Sequence, residues 1–468
     1  MLFCSLTFLF IFLPILTLIY YVSNNKYRNV ILLIASLLFY AWGEPKYIYL
    51  MLISIGVNYV LALMIEKYFD KKIIKRIILI VSILFNLGLL FYFKYLGFTV
   101  TVINNISGAQ LKTFNIALPI GISFYTFQIL SYVVDVYKGE VKAQKNIITL
   151  GTYIALFPQL IAGPIVRYST VEEQLQSRKL SFDKLSSGIK RFIVGLGKKV
   201  IIANNMAFIA DTLLNSSNVL DYSWITILVA ALAYTFQIYF DFSGYSDMAI
   251  GLGKMYGFDF LENFNYPYIS TSITDFWRRW HMSLSTWFRD YIYIPLGGNR
   301  CSRPRWIFNI FVVWLATGIW HGANWNFIIW GLYFFLLLMI EKLFIGKILN
   351  KLPKLLRFVY AFILINIGWL IFRIEKLDLL INISKNLFTL KKGNIISDVA
   401  HNYYLINNIP YFIFAIIFSF PIVKFIGSKI KNELLKTTIQ NLLLLLILLF
   451  SIVLLINNSY NPFIYFRF

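Results

Sequence analysis

A succession of apolar blocks, each about 20 residues long and separated by short basic clusters, limits how this chain can fold more than any other feature. A helix of that length spans roughly 30 Å of hydrocarbon. The runs are continuously apolar and lack the alternation of a barrel strand, so they read as helices. Hydrophobic residues make up 59% of the 468 and charged residues 14%, a balance that no water-exposed surface of this size tolerates. The expected fold is therefore an all-α polytopic membrane protein. Ten to thirteen transmembrane or re-entrant helices are expected around a central tunnel or funnel. Met1–Val22 carries only Ser5, Thr7 and Thr17 as polar interruptions. It has neither a basic start nor a small-residue cleavage site, and reads as a retained helix and not a signal peptide.

The net charge of +22 would suggest nucleic acid in a soluble protein. Here the cations fall between apolar runs, where a positive-inside bias puts them, and no nucleic-acid partner is expected. Lys26 and Arg28 follow the first block, and Lys67, Lys71, Lys72, Lys75 and Arg76 follow the third. Taken as cytoplasmic markers, they put the amino terminus outside, Phe98–Asn115 outside, and Lys138, Lys142 and Lys145 inside. The piece Ile148–Ile165 holds Phe157-Pro158 and Gly163-Pro164 and is flanked by basic residues, with Arg167, Arg178 and Lys179 after it. Such a segment is expected to enter and leave by one face.

Further spans are expected at Phe192–Leu214, Trp224–Ile250, Phe358–Phe372, Tyr411–Ile422 and Leu442–Ile456. The polar stretch Glu375–Asn408 stays ambiguous. Cys4 and Cys301 suggest neither a disulfide nor a metal cluster. The chain shows no repeat or linker. It reads as one membrane-embedded domain over residues 1–468, with its core motifs in 240–330 and an external tail at 457–468.

Polar residues concentrate in Phe240–Trp330, and intramembrane polar groups mark a site by default. Asp275–Asp290 reads as one amphipathic helix with Trp277, His281, Leu284 and Phe288 on a stripe. The alternative is a surface-lying helix whose arginines meet lipid phosphates and whose histidine merely packs. The second histidine lies in Trp314-Leu-Ala-Thr-Gly-Ile-Trp-His-Gly-Ala-Asn-Trp-Asn326. The arms Trp306–Trp320 and Trp325–Ile340 look short for full spans, so a hairpin would hold His321 near its tip, deep in the membrane. Gly318 and Gly322 remove bulk beside it, as close approach of a substrate would require, and Asn324 is near enough to orient the ring. A histidine titrates where proton removal from a hydroxyl is wanted, near pH ~6.5. Two histidines without a metal-ligand spacing make a weak metal site. His401, in the polar stretch, reads as a solvated loop residue.

The block Trp277-Arg-Arg-Trp-His281, with Phe288-Arg-Asp-Tyr-Ile-Tyr-Ile-Pro-Leu-Gly-Gly-Asn299, Gly318-Ile-Trp-His-Gly322 and Asp241-Phe-Ser-Gly-Tyr-Ser-Asp247, resembles the membrane-bound O-acyltransferase family. The similarity is greatest to the bacterial branch with the alginate O-acetyltransferase membrane subunit, and extends to Met1–Leu13 and Asn461–Phe468. The resemblance implies acyl transfer across a bacterial cytoplasmic membrane. The donor would be acetyl-CoA or another acyl thioester, with no bound cofactor. The acceptor would be a secreted polysaccharide, reached through an external acyltransferase partner. It also implies that His321 is the base and His281 a structural or donor-side residue.

The aromatic tail Asn461-Pro-Phe-Ile-Tyr-Phe-Arg-Phe468 resembles a motif of a small protein accompanying D-alanyl transferases. Its Tyr465 is either a transient acyl carrier beside His321 or an interface anchor. Arg278 and Arg279 either grip a donor phosphate or mark the membrane boundary. Trp277, Trp320, Asn324, Asp241 and Ser243 are candidate substrate contacts, with Asp241, Ser243 and Asp247 alternatively paired internally. Three rival functions stay open. D-alanyl transfer to teichoic acid is the nearest; a polysaccharide or lipid transporter would predict repeats, and an export scaffold would not need a glycine-flanked histidine.

Overall fold

The computed structural model describes residues 1–114, 116–390, 399–457 and 460–464. Every regular element among them is helical. The chain packs as two compact units, one of Met1–Phe192 with Ser246–Leu261, the other of Ile193–Tyr245 with Glu262–Phe468.

The first unit begins with α1 (Phe8–Val22), α2 (Arg28–Gly43), α3 (Ile48–Lys67), α4 (Lys72–Ser107) and α5 (Ile122–Lys138). Apolar helices hide polar side chains by pairing them. Asn58 and Asn86 exchange hydrogen bonds at 2.8 and 3.1 Å between α3 and α4, and Ser82 Oγ donates to Asn58 Oδ1 at 2.8 Å. Left unpaired in an apolar medium, each such group would cost several kcal/mol, roughly 2 to 7.

Next come α6 (Ile147–Ala155), α7 (Phe157–Leu160) and α8 (Tyr168–Gln176). Asn146 caps α6, its Oδ1 accepting from the amides of Ile148 and Thr149. Leu156 then breaks the helix ahead of Pro158. Neither α6 nor α7 is long enough to cross, as the same-face reading of Ile148–Ile165 requires.

Two long helices carry the chain onward, α9 (Phe182–Leu214) and α10 (Trp224–Met255). In the second unit a Cβ on Gly244 would stand 2.8 Å from the Gly195 carbonyl oxygen, so backbone lies almost against backbone there. The second unit continues with α11 (Ile273–Trp277), α12 (Met282–Phe288), α13 (Arg303–His321), α14 (Trp325–Leu349) and α15 (Lys354–Arg373). It ends with α16 (Leu377–Phe388), α17 (Val399–Ser419), α18 (Ile422–Lys429) and α19 (Glu433–Asn457).

Among the described residues seven helices are long and apolar enough to cross a membrane. They become eight if the pair Leu405–Ser419 and Ile422–Lys429, bent by 68°, is one span. The expected ten to thirteen transmembrane or re-entrant helices include shorter and re-entrant pieces that this count leaves out. The first block yields a helix over Phe8–Val22 only, shorter than a span, and α6 and α7 do not traverse. Helix also enters two polar stretches, Phe98–Asn115, expected on the outer side of the membrane, and the ambiguous Glu375–Asn408. α4 runs on through Phe98–Ser107, and Glu375–Asn408 contains α16 and the start of α17, including the His401 backbone. α19 keeps most of its leucines exposed, Leu446 at 62%, as a lipid-facing helix should.

Candidate active site

Apart from Asp247, the candidates among the described residues lie in the second unit. α13 and α14 form the expected hairpin, but its arms are not short. α13 has 19 residues, about 28 Å of rise, and α14 has 25, so His321 stands a full span's length from Arg303. A Cβ on Gly318 would lie 2.5 Å from the Phe327 carbonyl oxygen, and one on Gly331 2.5 Å from that of Trp314. A Cβ on Gly322 would strike the Phe327 ring. The glycines beside His321 therefore let the two arms touch, and Phe327 fills the space that was expected for substrate.

His321 is buried at the end of α13, with its ring centroid 5.0 Å from those of Trp320 and Trp330 and 5.1 Å from that of Phe372. Asn324 does not orient it. The Asn324 Oδ1 accepts from the Trp325 amide at 2.6 Å and caps α14. The neighbouring Asn326 holds α15 instead, its Nδ2 donating to the Phe372 carbonyl at 2.8 Å.

Asp275–Asp290 is not one amphipathic helix. α11 and α12 are separated by a turn in which His281 takes φ 45° and ψ 52°. A stripe read at helical spacing across that break has no meaning, and Trp277 and His281 reach their places from different elements. Ser272 starts α11 by accepting from the Asp275 amide at 2.9 Å, and the buried Glu341 carboxylate accepts from the Ile273 and Thr274 amides at 2.5 and 2.9 Å. Trp277 then packs edge to face on Trp314, Trp330 and Phe334.

His281 is buried against Phe242, with centroids 4.6 Å apart, and lies 6.1 Å from the Trp320 ring. Its tautomer follows from its neighbour. Asn263 Oδ1 accepts from the Ser283 amide at 3.2 Å and from Ser283 Oγ at 2.9 Å, so it is an acceptor where it also meets His281 Nδ1 at 3.2 Å. Nδ1 must then carry the proton, which leaves Nε2 with its lone pair and no hydrogen-bond partner among the described residues. Burial pushes the His281 imidazole down to about 3.

Of the two arginines, Arg279 is engaged, its Nε 2.9 Å from Asp275 Oδ1 and its Nη1 donating to the Asn265 carbonyl at 3.3 Å. Arg278 is exposed and makes no ion pair among the described residues. Asp241 and Asp247 are both paired internally. Arg191 Nη2 stands 2.6 Å from Asp247 Oδ1 within the first unit. In the second unit the buried Lys199 Nζ stands 2.6 Å from Asp241 Oδ1. Ser243 is buried with its Oγ unpartnered among the described residues.

Lys199 is not among the candidates above; its signal in the sequence is Lys198-Lys199 inside the apolar block Phe192–Leu214, an intramembrane cation. These two lysines open a π-helical stretch, Lys198–Ala203. The Lys199–Asp241 pair holds the tail. Lys199 Nζ donates to the Pro462 carbonyl, and the Ile464 amide donates to Asp241 Oδ2 at 2.8 Å. Asn204 Nδ2 donates to Asn461 Oδ1 at 3.1 Å, and Tyr460 OH to Asp211 Oδ2 at 2.6 Å. Phe463 and Ile464 are buried. Tyr465, the next residue, lies outside the described residues, as does the side chain of His401.

These features, two buried imidazoles packed on one indole in a multi-pass helical unit, are those of a membrane enzyme with a water-poor site. Residues 140–349 match the membrane-bound O-acyltransferase family. A probable alginate O-acetylase of Pseudomonas aeruginosa is 46% identical over 384 residues, 81% of this chain and 73% of that protein. A peptidoglycan O-acetyltransferase of Helicobacter pylori is 37% identical over 413 residues, 81% and 78% of the two chains. A teichoic acid D-alanyltransferase of Bacillus subtilis is 34% identical over 227 residues, 46% and 56% of the two. The chain belongs to the membrane-bound O-acyltransferase family. It is a multi-pass membrane protein and an O-acyltransferase.

Proposed function

We propose that this chain transfers an acetyl group from acetyl-CoA, reached from the cytoplasm, to a hydroxyl of an exported polysaccharide, and that it resides in the bacterial cytoplasmic membrane. The observation that carries the reading is Trp320, whose ring packs on both imidazoles and so joins the two motif histidines in one buried cluster. The relatives named for O-acetylation match over more of the chain than those named for D-alanylation, which favours acetyl. On the donor side, a cavity of about 430 Å³ opens beside Arg303 and Lys342, at the far end of α13 from His321. Its two cations suit the phosphates of a coenzyme.

In this mechanism His321 takes the proton of the acceptor hydroxyl while that oxygen attacks the thioester carbonyl. A C–O bond forms, the C–S bond breaks, and the proton passes from His321 to the leaving thiolate. His281 is the poorer base, because a group working near neutral pH needs a pKa close to it, and burial pushes that of His281 down to about 3. Its bare Nε2 suits accepting a hydrogen bond that orients a reactant. The dry surroundings protect the thioester from hydrolysis. The final acceptor is served by an external acyltransferase partner. Tyr465 is the candidate carrier between them, since the segment before it is drawn into the second unit by Lys199 and Asp241. The alternative for Tyr465 is an aromatic anchor.

The test is polymer acetylation in cells carrying His321→Ala at unchanged membrane level. Loss of acetylation supports His321 as the base. Retained acetylation removes it and turns attention to His281. Replacing Tyr465 by Phe with full acetylation retained would remove the carrier.

A further inference from the structure

In the first unit two arginines converge with no carboxylate to balance them. The guanidinium carbons of Arg28 and Arg178 lie 5.4 and 5.9 Å from the centroid of the same ring, Tyr20, and Arg178 also sits 4.7 Å over Phe258. Neither forms an ion pair among the described residues. Arg28 Nε and Arg178 Nη1 are shielded from solvent and donate to no partner there. Buried N–H groups are nearly always satisfied, so two orphaned donors on two cations call for an acceptor from outside the protein.

The surroundings are built to keep these groups in place. Arg178 Nη2 donates to Asn29 Oδ1 at 2.7 Å. Asn29 is in turn tied to two other segments, donating from Nδ2 to the Leu175 carbonyl at 2.9 Å and accepting at its own carbonyl from Thr152 Oγ1 at 3.0 Å. Arg28 is the first residue of α2, whose N-cap, Tyr27, supplies no side-chain hydrogen bond. The Arg28 amide is spent on the Asn25 carbonyl in the turn before α2, so what the 16-residue helix adds to the two guanidiniums is the partial positive charge of its macrodipole. Burial is the main reason the Arg178 pKa lies below its ordinary value, with the neighbouring Arg28 adding to it and Tyr20 opposing it.

We infer that Arg28, Arg178 and the start of α2 form a binding site for a phosphate oxyanion. A guanidinium fork matches a phosphate mono- or diester in geometry as well as charge. Both arginines fall in basic clusters that the positive-inside pattern puts at the cytoplasmic boundary. Two phosphates are available there, the headgroup of an anionic lipid and the phosphates of a coenzyme thioester. The site is independent of the assignment of His321.

The experiment uses the full chain purified in detergent and native mass spectrometry, with titrations of phosphatidylglycerol and, separately, of coenzyme A. In the double variant Arg28→Gln, Arg178→Gln one of the two ligands should bind roughly tenfold more weakly, as loss of a charge-assisted fork implies. The ligand affected identifies the source. Unchanged affinity for both overturns the site. If the Gln variant does not fold, Arg28→Lys, Arg178→Lys keeps the charge but not the fork. It should weaken the same ligand several-fold, and equal binding of both ligands to wild type and the Lys variant overturns the site equally.

Discussion

His321 and His281 share burial and a common neighbour in Trp320, yet they are held in unlike ways. His321 ends a straight 19-residue helix in ordinary helical geometry, inside a box of aromatic rings. His281 sits between two short helices at positive φ, a conformation that costs a non-glycine residue of order 1 kcal/mol and persists only when its surroundings enforce it. What enforces it is Asn263, which gathers His281 Nδ1, the Ser283 amide and Ser283 Oγ on one oxygen. A histidine so placed holds a turn together as much as it offers a nitrogen. On the proposed mechanism the hairpin supplies the chemistry and the turn the positioning, and each role can be broken separately.

The largest effect is expected at His321. His321→Ala should lower acetyl transfer by roughly 10²- to 10⁴-fold, the contribution of a general base, when compared at equal levels of folded protein. A fall of less than tenfold, measured in membranes with equal protein, would move the base elsewhere.

A control for burial alone is the Lys199–Asp241 pair, as deeply buried as either imidazole but tied to the tail. Lys199→Met leaves Asp241 as an uncompensated buried charge and should cost about 3 to 5 kcal/mol, read as a loss of folded protein in a thermal or denaturant series. Lys199→Met with Asp241→Leu should recover most of that stability. If the double variant folds but transfers no acetyl group, the pair matters for where it puts residues 461–464 and not for folding.

The hairpin and the turn also differ in how far they could be read beforehand. α13 and α14 follow from two apolar runs with Gly322 and the Asn324 cap between them, all local signals. The glycines misled because a missing side chain marks close approach without saying of what, and here the answer is Phe327 and the opposite backbone. At the turn, helical spacing through Asp275–Asp290 was a coincidence of composition. The break at Arg278–His281 is held by Asn263, 18 residues upstream, while the start of α11 is capped by the Glu341 carboxylate from 68 residues away. No pattern within a helix-length window carries those contacts. Lys199 was legible as an intramembrane cation, but its partner Asp241 and the tail carbonyl it meets are tertiary facts.

His281 gives the next effect. His281→Ala loses the Asn263 bond and keeps the unfavourable φ, and should cost about 1 to 3 kcal/mol of stability. His281→Asn, which tolerates that φ, should be milder. The sign with pH follows from the lowered pKa. Between about 3 and 6.5 the unfolded chain binds a proton at His281 that the folded chain refuses, so stability rises with pH across that window and is level above it. In His281→Asn this part of the acid sensitivity should vanish. A variant that is fully stable but inactive would break the comparison, making His281 a second chemical group.

Arg278 is expected to matter least, and it separates two uses of the same arginine pair. Arg279 is spent on Asp275 and the Asn265 carbonyl, so Arg279→Ala should loosen the start of the turn and resemble a weak form of His281→Ala. Arg278 is exposed, and an exposed cation contributes little to folding. If it meets donor phosphate, Arg278→Ala should raise the KM for acetyl-CoA several-fold, leave kcat nearly unchanged, and flatten the dependence of KM on ionic strength. If it only marks the membrane boundary, KM and its salt dependence should match wild type. The turn would then serve the hairpin by shape alone, with His281 and Arg279 holding Trp277 against Trp314 and Trp330.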